Sequence, residues 1–221
     1  MWTLRSRTTT RVMNHTTIRP VGFVLLALLA SACDSSDGVE RNAVSRSARV
    51  DFSSPPDTTT GVTGTITLTE REDELRLEYA FAGLVPGRHG LHVHENASCG
   101  RADFDRDGLA EAAGAAGGHY DPLNTSTHGL PSETDVLRRH FGDLGNVTAD
   151  EDGRSSGQKT IRGIRLEGMV SGTAYTFLEG RSMVVHTRRD DGRTQPDGDS
   201  GGRAACGVIE ETTPQEDLGT E

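Results

Sequence analysis

Eight short segments of this chain alternate apolar and polar residues with a period of two, which points away from a helical fold. They cover residues 48–52, 64–69, 75–81, 90–94, 145–149, 160–166, 182–186 and 204–209. Successive side chains of a strand point to opposite faces, so such alternation marks strands with one face on a core and one in solvent. Turn-forming Gly, Asp, Asn and Pro separate the segments, and the 27 glycines and few aromatics suit many short strands rather than long helices. The expectation is an all-β fold, an eight-stranded Greek-key barrel or sandwich. Residues 95–143 and 187–203 break the alternation. Loops of that length inside a compact domain are usually functional, and the Ala/Gly run over 110–118 allows at most a short helical turn.

The domain follows an amino-terminal leader. Arg5, Arg7, Arg11 and Arg19 precede an apolar run over residues 21–30 and then Ser31, Ala32 and Cys33, the pattern of a secretory signal over residues 1–32. The run is too short for a stable membrane span, which needs about 20 residues. Met13 is a second candidate start. The small residues before Cys33 resemble a bacterial lipoprotein signal, in which that cysteine becomes the lipidated first residue. Ordinary cleavage nearby is the alternative, because Ala30 stands where leucine is commoner. An exported protein of the periplasm or cell envelope is expected, touching a membrane only through a lipid on Cys33. Residues 33–47 are polar and aperiodic, a flexible tether; residues 48–211 form the domain, and 212–221 read as a disordered tail.

The leader holds four of the 23 basic residues and none of the 33 acidic ones, so the chain from Cys33 carries a formal charge of −14. Nucleic acid is not an expected partner; the charge reads as a solvated surface. Assigning Cys33 to the lipid leaves Cys99 and Cys206 as a pair in an oxidising compartment. A disulfide is expected there, against the alternative of two buried thiols. A homodimer is left open, because apolar surface on a barrel face reads the same whether it meets a partner or solvent.

The histidines fall into groups. His92 and His94 flank Val93 on one strand, so both imidazoles share a face and can reach one ion. Alone, such a pair is often only polar surface. His119, His128, His140 and Asp143 offer three nitrogens and a carboxylate, the tetrahedral shell zinc accepts. A polar loop gathers histidines by chance, but it rarely adds a fourth partner at a three-residue step. His186 ends the apolar run Met183-Val184-Val185, with Asp190 four residues on. By itself it reads as a capping or core histidine. With His92, His94 and one shared imidazole it completes four nitrogens, which suits Cu(II). Asp103, Asp105 and Asp107 form a D-x-D-x-D-G run like the start of a calcium loop, but Gly114 stands where such a loop has its bidentate glutamate, so a plain acidic turn is expected.

Four segments carry a family resemblance: G-R-H-G-L-H-V-H over 87–94, G-G-H-Y-D-P over 117–122, R-H-F-G-D-L-G-N-V-T-A-D over 139–150 and G-G-R-A-A-C-G-V-I over 201–209. In this order they resemble the signature segments of the copper/zinc superoxide dismutases. The resemblance implies copper on His92, His94, His119 and His186, and zinc on His119, His128, His140 and Asp143, with His119 shared. It also implies that Asp190 joins His92 to His128 and fixes their tautomers. His89 matches a structural histidine rather than a ligand. Arg203 matches the arginine beside the copper channel, where a fixed positive charge holds a small anion, so Arg203 and His119 are the implied catalytic residues. The implied reaction disproportionates superoxide to dioxygen and hydrogen peroxide by Cu(II)/Cu(I) cycling, with a zinc-bridged histidine supplying a proton.

The chain departs from that pattern in places. The loop over 187–202 is short and lacks lysine, leaving Arg188, Arg189 and Arg193 as candidates for steering; Leu91 replaces a common phenylalanine; and the segment between His128 and His140 is longer. The rival reading is a non-enzymatic copper-binding or copper-delivery lipoprotein on the same fold, since a fold does not fix a function. Such a protein is expected to lack copper ligands or the channel arginine, and this sequence lacks none.

Overall fold

The computed structural model describes residues 46–213 except 57, 59, 73 and 132–134. The leader, Cys33, nearly all of the tether and the tail from 214 lie outside the described residues. Ten strands follow one another: β1 (Arg46–Ser53), β2 (Thr63–Arg71), β3 (Glu74–Ala82), β4 (Gly87–His94), β5 (Asp143–Ala149), β6 (Ser155–Arg162), β7 (Glu167–Val170), β8 (Thr173–Thr176), β9 (Ser182–His186) and β10 (Arg203–Thr212). Eight of them make one antiparallel sheet in the order β5-β4-β9-β10-β1-β2-β3-β6. The sheet curls into a nearly closed barrel, and Lys159 on edge strand β6 donates to the Asn146 carbonyl on edge strand β5 at 2.8 Å. The connections β3 to β4 and β6 to β9 jump across the sheet, as in a Greek key.

Alternation places the core. Ala48, Val50 and Phe52 of β1, Ile66 and Leu68 of β2, and Leu75 and Leu77 of β3 are buried together, each of the larger ones contributing about 1.5–3 kcal/mol of burial. Leu91 and Val93 of β4 join the same core. Their parity sends His92 and His94 to the other face, beneath the two long loops. Among the described residues those loops, 95–142 and 187–202, add no strand to the barrel; two short 3-10 turns, Gly114–Ala116 and Val136–Arg138, interrupt the first.

Seven of the expected segments lie inside observed strands; the segment over 160–166 does not. β6 begins earlier and pairs with β3 from Phe81↔Ser155 to Glu74↔Arg162. Only Ser155 and Ile161 of it are buried, so most of it carries no alternation to read. Ile164 and Leu166, which suggested a strand, reach the core from beyond a turn at Gly163, φ 74°. The β7–β8 hairpin was also not anticipated. Ser171 (φ 49°) and Gly172 (φ 82°) form its two-residue turn, whose left-handed pair matches strand twist.

Cys99 and Cys206 are disulfide-bonded with a Cα separation of 5.6 Å, fastening the first loop to β10. The bridge closes a loop of 107 residues, for which unfolded-chain entropy predicts a stabilisation of about 4–5 kcal/mol. The Cys99→Ala/Cys206→Ala protein should lose that amount in denaturant unfolding; a loss below about 1 kcal/mol would mean that the bridge does not act through chain entropy.

Candidate metal centre

Antiparallel pairing of β4 with β9 places His92 opposite Val184 and His94 opposite Ser182, and β9 ends on His186 beside them. His119 arrives from the first loop through an isolated bridge to His94. The His92 ring centroid lies 3.9 Å from that of His119 and 4.7 Å from that of His186. One nitrogen from each of His92, His94, His119 and His186 lies within 4.8 Å of the others.

In three of these rings the remaining nitrogen is tied down. His94 Nδ1 donates to the Gly117 carbonyl and His186 Nδ1 to the Gly201 carbonyl, both at 3.0 Å. His92 Nε2 donates to Asp190 Oδ2 at 2.9 Å. His92 Nδ1, His94 Nε2, His119 Nε2 and His186 Nε2 are buried without a hydrogen-bond partner. Buried polar atoms are normally satisfied. Four unsatisfied imidazole nitrogens close together have the donor chemistry of a nitrogen-only cation site, and copper fits it.

A second convergence adjoins the first. Asp143 opens β5, and its Oδ1 lies 2.8 Å from His119 Nδ1, 3.0 Å from His128 Nδ1 and 3.4 Å from His140 Nδ1. His128 Nδ1 and His140 Nδ1 have no hydrogen-bond partner. Three nitrogens around a carboxylate oxygen fit a closed zinc shell. His119 is the residue that offers Nε2 to one group and Nδ1 to the other. His92 stands close to both, having an atom within 4.8 Å of ligand atoms of His119, His128 and Asp143 as well. Its Nε2 is already given to Asp190.

Asp190 spans the two groups: Oδ2 accepts from His92, and Oδ1 accepts from His128 Nε2 at 2.8 Å. Asn146 on β5 clamps the Asp190 backbone, donating from Nδ2 to its carbonyl at 2.9 Å and accepting its N–H at 2.8 Å. Gln195 does the same for His128, accepting its N–H at 2.7 Å and donating to its carbonyl at 3.1 Å. Gly198, at φ +71°, passes directly over this contact; a Cβ there would lie 2.2 Å from Asp190 Oδ1 and 2.6 Å from His128 Nε2. Arg139 is 1 % exposed and donates from Nη1 to the carbonyls of His140 and Asp143. Sequence reasoning did not single out Asn146, Gln195, Gly198 or Arg139 for the site. They act on backbone or across distant loops, and no local spacing signals that.

Electrostatics separate the groups. Burial and the neighbouring His92 push His119 down to about 3. Burial likewise holds His94 and His186 well below the ordinary imidazole range. All three are neutral at neutral pH, the form that binds metal. For His128 burial acts downward, but the adjacent carboxylates of Asp143 and Asp190 outweigh it and raise it to about 9. Despite burial, the histidines bonded to Asp143 and Asp190 hold both carboxyls well below the usual carboxylate range.

His94, His119 and His186 open on a cavity of about 750 Å³ that Arg203 and Phe104 also line. Arg203 opens β10 and donates to the carbonyls of Ala113 and Gly117. Arg188, Arg189 and Arg193 do not line the cavity, and Arg188 pairs with Asp199 at 2.7 Å. Arg203 is therefore the only arginine or lysine among the described residues lining it. His89 Nδ1 lies 2.8 Å from the His186 carbonyl and Nε2 2.6 Å from that of Val85, a structural placement outside both groups. The acidic run is a self-capped turn: Asp103, Asp105 and Asp107 accept the N–H groups of Gly108, Asp107 and Leu109.

Comparison with known proteins agrees with this chemistry. The copper/zinc superoxide dismutase (SODC) family pattern matches residues 62–209. A superoxide dismutase [Cu-Zn] of Deinococcus radiodurans is 38% identical over 154 residues, covering 70% of this chain and 80% of that enzyme. The Brucella abortus enzyme of the same name is 40% identical over 66% of this chain and 78% of its own length. Superoxide dismutase [Cu-Zn] 2 of Salmonella typhimurium is 34% identical over 86% of this chain and 96% of its own. Similarity of that extent to enzymes that all share one description places the chain in the copper/zinc superoxide dismutase family.

Proposed function

We propose that this chain is an exported superoxide dismutase in which His92, His94, His119 and His186 hold copper while His119, His128, His140 and Asp143 hold zinc. The observation that carries the reading is His119, whose Nε2 is buried and unpartnered beside three other free imidazole nitrogens while its Nδ1 lies 2.8 Å from Asp143. Tautomers support His140 rather than His92 in the zinc set: His92 has given Nε2 to Asp190 and its remaining nitrogen lies in the copper group, whereas His140 Nδ1 lies 3.4 Å from Asp143 Oδ1 without a hydrogen-bond partner among the described residues. Copper bound there supplies the one-electron oxidation and reduction that disproportionation of superoxide requires, and zinc supplies no electron.

The chain's own residues do the rest. Arg203 presents a permanent positive charge in the cavity beside His94, His119 and His186, where it holds a small anion in register. Two superoxide anions consume two protons on the way to dioxygen and hydrogen peroxide. His119 lines the cavity, where Nε2, when not holding the metal, would take a proton from water and pass it to the product, the second proton coming from solvent. Asp143 keeps its ring aimed through Nδ1. Asp190 binds no metal itself; it holds His92 and His128 in the tautomers that leave Nδ1 of each as a donor atom.

The leader over residues 1–32 supports export to the periplasm or cell envelope. Ser31-Ala32 before Cys33 supports lipid attachment at that cysteine. The polar stretch from 34 then tethers the barrel to the membrane surface.

Fractionating the cell envelope and measuring metals and superoxide consumption on the same purified protein tests the reading. The expected protein sits in the membrane fraction, contains both metals and consumes superoxide; full metal occupancy without activity would overturn the enzyme, and activity confined to the soluble fraction would overturn the anchor. Arg203→Ala should lower the catalytic rate constant about tenfold, the value of one lost charge-assisted contact, and flatten its salt dependence while copper stays bound. An unchanged rate removes the anion-holding role. Asp190→Ala should weaken metal retention about 10–100-fold in chelator competition, and unaltered retention would show that the ligands orient themselves.

A further inference from the structure

Arg203 keeps unusual company. Glu95, Asp105, Glu111, Asp121 and Asp197 line the same cavity, and a guanidinium among carboxylates ordinarily pairs with one of them. Arg203 forms no ion pair among the described residues, although Glu111 is near enough for its charge to act on the guanidinium. Its donors go instead to the carbonyls of Ala113 and Gly117. The residue on its face is Phe104, whose ring centroid is 5.2 Å from Arg203 Cζ, within cation–π range.

We propose that Phe104 is a positioning residue for the reaction: its ring covers the Arg203 guanidinium and shields it from the carboxylates of its own loop, so that the charge stays available to the substrate anion. The inference rests on Arg203 holding that anion.

The loop is built to present the ring. Its acidic side chains are occupied by backbone N–H groups of the same turn, and Glu111 Oε2 accepts the N–H of Phe104 itself at 3.0 Å. A bridge between Ala102 and Glu111 closes its neck, and the Cys99–Cys206 disulfide fastens its base to the strand that carries Arg203. Phe104 is 47% exposed, so it serves no core. A Cβ built on Gly118 would lie 3.6 Å from the ring tip, which sets the ring as a wall next to His119. Without the ring, Asp105 and Glu111 are the carboxylates of this loop that line the cavity with Arg203, and pairing with either would cancel its charge.

The test uses the fully metallated protein, with azide as a small-anion probe read from the visible spectrum and kcat/KM for superoxide beside it. Phe104→Ala should weaken azide binding and lower kcat/KM about fivefold each, the scale of Arg203 engaged in one partly exposed ion pair, with metal content and Tm unchanged. Phe104→Tyr should match the parent. Replacing the charges in Phe104→Ala/Asp105→Asn/Glu111→Gln should restore both quantities, because amides still accept the turn's hydrogen bonds but cannot pair with Arg203. Adding Phe104→Ala to Arg203→Ala should change nothing further. If Phe104→Ala lowers Tm, Phe104→Leu, which keeps the apolar bulk and loses the ring face, carries the same expectation. An unaffected Phe104→Ala protein, an equal loss in the Arg203→Ala background, or no restoration by the amides overturns the shielding role alone. An Arg203→Ala protein with unaltered azide affinity overturns the anion-holding role and this inference with it.

Discussion

Burying an ionised carboxylate without donors costs on the order of several kcal/mol, and Asp190 is completely buried. Two imidazoles, His92 and His128, compensate that cost at 2.9 and 2.8 Å, and each in return has its tautomer fixed. The carboxylate thereby joins β4, the long first loop and the loop after β9 at one side chain, while Asn146 pins its backbone to β5. The contact links the two convergences, since His92 belongs to one and His128 to the other. Gly198 shows how tightly the contact is enclosed, because a methyl group there would overlap both partners.

The barrel contributes rigidity rather than chemistry. Leu91 and Val93 are locked into the core, so the two histidines between and beyond them cannot rotate toward it. The other side chains of the two groups, and Arg203, come from a loop or from an end of a strand: Asp143 opens β5, Arg203 opens β10 and His186 ends β9. Long irregular segments are costly to order. Here the disulfide, the Asp190 contact and the Gln195 clamp on His128 fix the two loops to each other and to the sheet.

What the sequence could disclose follows from the range of each interaction. Parity along β4 is local, so the shared face of His92 and His94 was legible. The donor types of His119, His128, His140 and Asp143 could be read as a set, and a nitrogen of each histidine lies within 3.4 Å of Asp143 Oδ1. Asp190 could be placed only through resemblance, because its partners lie 98 and 62 residues away. Gln195 meets His128 across 67 residues by a side-chain amide on backbone groups, and the backbone of any residue could have taken the place of His128's. β6 was misplaced because hydrogen bonding to β3, not burial, defines most of it. β7 and β8 are four residues long and largely unburied, too short for a period to emerge.

Charge is the last constraint. A chain with a formal −14 beyond its leader repels an anion at long range, yet that field is screened beyond about 8 Å at physiological salt. Attraction must therefore arise within the cavity. The exposed arginines of the short loop do not reach it, and Arg188 is neutralised by Asp199. Two divalent cations, if bound beside the buried carboxylates of Asp143 and Asp190, would leave the centre positive, and Arg203 places a further positive charge on the cavity wall. The acidic residues around the mouth oppose capture only insofar as they can reach the guanidinium. Backbone amides occupy several of them: Glu95 accepts from Gly118, Asp121 from Ser126 and Glu111 from Phe104. Those hydrogen bonds take up part of each carboxylate's acceptor capacity within the loops, while Arg203 stays the only arginine or lysine among the described residues lining the cavity.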